Sequence, residues 1–120
     1  MITNQGILYI EPSGMTSAEP VIDELTRKMA AALSNSKPSK EVWRGYHVCD
    51  CGSFSTNRDY ILPNGQKTNS LCVHYLAYHR EEVPKAQLEK VVMLGPDQME
   101  PTEQQLAPPG TTPWSKSSNR

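Results

Sequence analysis

The sequence predicts a small α+β protein, and three features of its pattern carry that expectation. Helical periodicity occurs in separate blocks near residues 17–34, 70–80 and 84–94, while strand-like runs and turn signals fill the stretches between. All three cysteines and all three histidines fall between His47 and His79. The expected architecture is a β-hairpin stapled to a helix through those side chains. An N-terminal strand and helix and a C-terminal helix flank it, and a disordered tail follows. The divisions implied are residues 1–36 for the N-terminal unit, 41–94 for the Cys/His module with its following helices, and 95–120 for the tail.

GILYIE, from Gly6 to Glu11, is a short apolar run that ends at the turn-like EPSG, so it reads as a strand. Ser17 is placed to cap a helix through about Ser34, with Glu19 and Pro20 in its first turn. Val21, Ile22, Leu25, Met29, Ala32 and Leu33 fall on one face of that helix, with Asp23, Glu24, Arg27 and Lys28 largely off it. SNSKPSK, residues 34–40, is polar and interrupted by a proline, and reads as a linker.

From Glu41 the chain EVWRGYHVCDC alternates with period two, placing Trp43, His47, Cys49 and Cys51 on one side of a strand. Gly52 permits a tight turn, Tyr60 to Leu62 forms a returning strand, and Pro63-Asn64-Gly65 is a turn signal. Thr68, Asn69 and Ser70 are all good caps for the helix of SLCVHYLAYHR, which is apolar on nearly every side and therefore expected to be buried. Pro84 opens a last helix, PKAQLEKVVML, with Leu88, Val91 and Val92 on one side and a Lys85/Glu89 pair outside. The tail beyond Gly95 carries five prolines, mostly polar residues and an isolated Trp114, and reads as disordered. Trp114 is either a short docking motif or part of a solvated tail.

Composition restricts the function classes. Hydrophobic residues make up 37% of the 120, and a net charge of -1 with a pI near 6.3 gives no global attraction to phosphate polymers. No run reaches the roughly 18 apolar residues that cross a bilayer, and the start MITNQGILYIE lacks the marks of a secretory signal. The expectation is a cytoplasmic protein with no membrane association. In a reducing compartment, clustered cysteines are metal ligands or a reactive site rather than disulfide halves.

Written out, Cys49, Cys51, Cys72 and His74 form C-x-C, then 20 residues, then C-x-H. Thiolates and imidazoles in a tetrahedron are the usual shell of structural zinc, and in a module with a small core the binding free energy of the ion becomes folding free energy. Zinc is therefore the expected cofactor. The spacing leaves the ligand set open. Within a helix, residues two apart point about 200° from each other, so Cys72 and His74 share an ion only where Cys72 lies at or before the first turn. His79 and His47 are the alternates, His47 because it shares a strand face with both cysteines.

CDCGSF and CVHYLAYH resemble the SWIM-type zinc finger, a family defined by C-x-C-x(n)-C-x-H, over about residues 42–80. The resemblance implies cysteines on a hairpin, C-x-H at the start of the next helix, and a non-catalytic role in DNA binding or protein interaction. Together these readings point to a non-enzymatic zinc-binding interaction or adaptor module for a protein partner, with regulation as a further role. A nucleic-acid-binding finger is the alternative: residues 37–90 hold eight Lys or Arg against six Asp or Glu, and Arg44 and Lys67 are candidate phosphate contacts. A zinc- or cysteine-dependent hydrolase is the second alternative, weakened by the absence of H-E-x-x-H, G-x-S-x-G and phosphate-loop motifs. Zinc-bound thiolates also permit redox sensing.

Overall fold

The computed structural model of the chain describes residues 6–12, 15–40, 49–53 and 59–108. It is an α+β fold, as the pattern predicts. Helix α1 (Glu24–Ser34) is followed by strands β1 (Lys37–Pro38), β2 (Tyr60–Ile61) and β3 (Lys67–Thr68). Helix α2 (Cys72–Tyr78), a 3-10 turn (Arg80–Glu82), α3 (Lys85–Val92) and α4 (Glu103–Leu106) complete it. The strands form one antiparallel sheet in the order β1-β2-β3.

Helix α1 begins six residues later than Ser17, at a better cap. Asp23 accepts from the Thr26 amide and the Thr26 hydroxyl, and Arg80 grips both carboxylate oxygens at 2.7 and 2.9 Å. The preceding residues stay non-helical because their amides serve another helix. Ser17 N-H donates to the Tyr78 carbonyl and Val21 N-H to the Ala77 carbonyl, supplying partners at the end of α2 that a helix cannot supply for itself. The expected apolar face holds at Met29 and Ala32, which are buried, and at Leu25 and Leu33, which pack against the core.

The segment expected as a linker supplies β1: Lys37 and Pro38 pair with Ile61 and Tyr60. Proline has no amide to give a ladder and is tolerated because β1 lies at the edge of this sheet. The hairpin at Pro63-Asn64-Gly65 forms as expected, with Gly65 at φ 89°, and joins β2 to β3. GILYIE is not a regular strand. Gly6 makes one parallel bridge to Lys67, and Leu8 then takes a left-handed φ of 62°, so both Ile7 and Leu8 turn inward and are fully buried. Regular alternation would have buried only one of them.

One core joins all three expected divisions of the chain. Ile7, Leu8, Met29 and Ala30 meet Cys49, Leu62, Leu71, Leu76, Val83 and Val91, and Ala107 from the tail packs among them. Residues 99–108 of the tail lie on the domain, running along α1 toward α2. The EVWRGYHV strand and Trp114 lie outside the described residues. No helix among the described residues is long and apolar enough to cross a membrane.

Candidate metal centre

Cys49 and Cys51 sit on a tight loop. The Cys49 amide donates to the Ser53 carbonyl and the Gly52 amide donates to the Cys49 carbonyl, both at 2.8 Å. Gly52 adopts φ 102°, a conformation L side chains rarely take, which lets the chain reverse within the loop. Both sulfurs are thereby held toward α2.

Helix α2 supplies the other side. Asn69 fixes its start, its side-chain oxygen accepting from the Leu71 amide at 2.8 Å. His74 projects from the helix and is fully buried. His79 is five residues on, and in an unbroken helix it would point about 140° away. The helix ends at Tyr78, however, and His79 takes the cap conformation of φ -127°, ψ 32°. Its ring returns to the same side, with the His74 and His79 centroids 5.0 Å apart.

The result is a four-residue cluster. Cys49 Sγ lies 3.2 Å from His79 Nε2, Cys51 Sγ lies 3.3 Å from His74 Nε2, and all four ligand atoms are within 4.8 Å of one another. A tetrahedral ion with bonds of about 2.3 Å to sulfur and about 2.0 Å to nitrogen sets neighbouring ligand atoms roughly 3.3 to 3.8 Å apart. Two of the sulfur–nitrogen pairs, at 3.2 and 3.3 Å, are near that spacing, and no pair exceeds 4.8 Å. Cys49, Cys51, His74 and His79 are positioned to bind a metal ion.

Electrostatics favour the protonation states that metal binding needs from the imidazoles. Burial is the main force holding His74 down, to about 4, with the neighbouring His79 acting in the same direction against the Leu106 carbonyl. Burial also lowers His79. Both rings are therefore neutral near pH 7 and carry a lone pair. The tautomer of His74 is set as well: Nδ1-H donates to the Leu106 carbonyl at 3.0 Å, leaving Nε2 for the ion. Burial pushes the Cys49 thiol up to about 11, opposed in part by the Cys51 amide, so it sheds its proton only in exchange for a cation.

No protein-family model, no curated protein and no solved structure matches the chain. Its function has to be read from the cluster.

Of the expected ligands, Cys49, Cys51 and His74 come together, and His79, an alternate, completes the set. Cys72 stands apart. Although α2 begins at Cys72, the placement that would let it share an ion with His74, its sulfur is not among the four and its side chain packs in the core. Its side chain is fully buried against Thr68, and burial pushes its thiol up to about 12. The order along the chain is thus C-x-C then H-x(4)-H, one ligand different from the SWIM pattern. His47 and Arg44 lie outside the described residues, and Lys67 is exposed on β3. Sequence reading missed the support from residues 102–108, although Thr102 and Gln105 carry the spacing of a capping box, a legible helix-start signal.

Proposed function

We propose that the protein is a small zinc-binding module in which the ion is structural, and that the surface so held serves a protein partner rather than catalysis. The observation that carries the first part is the closed set of four protein ligands, with Cys49, His74 and His79 all buried. Two sulfurs and two imidazole nitrogens suit zinc by softness and geometry. Catalytic zinc keeps a position for water or substrate, whereas a full shell of protein ligands is spent on holding structure. The interaction role is supported by apolar side chains left at the surface, with Met15 77%, Val92 52% and Met93 79% exposed.

The test is elemental analysis of protein purified without added metal, followed by thermal unfolding with and without a chelator. One zinc per chain and a large fall in the midpoint on chelation are expected. Well under one zinc per chain, or an unchanged midpoint after its removal, refutes the structural-zinc reading. Salt-dependent DNA or RNA binding weakened by Lys67→Ala would replace the protein partner with nucleic acid.

A further inference from the structure

We propose that residues 99–108 form a strap whose docking on the domain and the binding of metal at the Cys/His cluster are one coupled equilibrium, with Ser53 and the Leu106 carbonyl as the positioning groups. The inference rests on metal occupancy of the cluster.

The strap follows α1 and ends at the metal ligands. The Met99 amide donates to the Arg27 carbonyl at 3.2 Å, and Arg27 Nε pairs with Glu100 at 2.7 Å. Thr102 and Gln105 close a reciprocal capping box at 3.0 Å each way, and Gln105 Nε2 donates to the Ala30 carbonyl at 3.2 Å. Ala107 then takes φ 44° and turns the chain inward, where its side chain is buried in the core.

Both contacts at the end of this track fall on the centre itself. The Leu106 carbonyl accepts from Nδ1 of His74, a ligand. The buried Ser53 hydroxyl, two residues after Cys51, is shared between the Ala107 carbonyl at 3.0 Å and the Pro108 carbonyl at 2.9 Å. With the strap away, Nδ1-H of His74 loses its acceptor in a buried site and the cysteine loop loses its tie. Hydrogen bonds that orient metal-ligating histidines are worth about tenfold to a hundredfold in affinity. Coupling between binding equilibria is reciprocal, so metal loss loosens the strap by the same factor that strap loss weakens the metal. In these terms occupancy regulates whether Met99, Leu106 and Ala107 lie against the core or are released from it.

The experiment uses the full chain with zinc as the probe. Zinc content and affinity, by competition with a chromophoric chelator, are compared between the native protein and Ser53→Ala combined with Gln105→Ala; neither residue is a ligand. The expected result is one zinc per chain in both, with affinity lower by about tenfold to a hundredfold in the variant. Imidazole NMR of the zinc-loaded proteins adds a local readout: the Nδ1-H proton of His74 exchanges slowly in the native chain and much faster in the variant, by a larger factor than the buried amides of α1 and α3, whose exchange registers any general destabilisation. Equal affinities and equal exchange, with zinc bound to both, overturn the coupling alone. Absence of zinc from the native chain overturns the coupling together with the reading it rests on.

Discussion

Replacing His79 and Cys72 in turn separates the ligand set in the fold from the set that spacing alone suggests. A structural zinc contributes about 10 to 16 kcal/mol, so a quarter share for each of four ligands is about 2.5 to 4 kcal/mol, or roughly a 10²- to 10³-fold loss of affinity in His79→Ala. Cys72 lies beside Thr68 in the core and outside the cluster, so Cys72→Ala removes one buried sulfur and no metal bond. Its cost is the packing loss of a small buried group, about 1 to 2 kcal/mol. The two variants should therefore fail differently: His79→Ala in chelator competition, Cys72→Ala only in denaturant melts with one zinc retained. Cobalt substitution adds a second view, since thiolate-to-cobalt absorption should persist in Cys72→Ala at native intensity. If Cys72→Ala lost the metal while His79→Ala bound it at native affinity, the assignment of Cys49, Cys51, His74 and His79 as the ligands would be refuted.

Two further outcomes follow from charge. Because binding takes a proton from Cys49, whose thiol burial raises to about 11, that ligand alone should make zinc affinity fall about tenfold per unit as pH drops from about 9 to about 5; His74, held near 4, adds nothing in that window, as isothermal titration in several buffers would show. The Arg80 guanidinium beside Asp23 holds its carboxyl well below the usual range, so this pair stabilises the fold fully above about pH 4 and loses its effect as pH falls further. Asp23→Ala should cost about 1 to 2 kcal/mol at pH 7, mainly the lost helix cap because the pair is partly exposed, and less at pH 3, measured by urea unfolding.

The parts of the fold legible in the sequence are those set by local chemistry. Pro63-Asn64-Gly65 marks a turn because Gly65 alone there takes a positive φ without strain, and Pro84 marks a helix start because its missing amide is not needed. The parts that were not legible are decided by distant partners. Ser17 is an acceptable cap, but its hydroxyl and amide are used by α2, and Asp23 wins through Arg80, far along the chain. His79 joins the centre only because α2 stops at Tyr78, and a rule of regular spacing cannot anticipate where a seven-residue helix will end. The proline-rich composition after Gly95 suggested a solvated tail, whereas Ala107 and Leu106 find an apolar surface assembled from other segments.

The shared core also limits how this centre can be moved. Ile7 lies on Lys67 and Thr68, Met29 and Ala30 lie under α2, and Ala107 closes the far side, so a cassette cut at residues 41 and 94 would carry every ligand yet leave its own apolar faces bare. Grafting the cluster into another scaffold would mean rebuilding the neighbours that shape it. The loop of residues 49–53 and α2 are better understood as the keystone of the described fold than as a detachable finger.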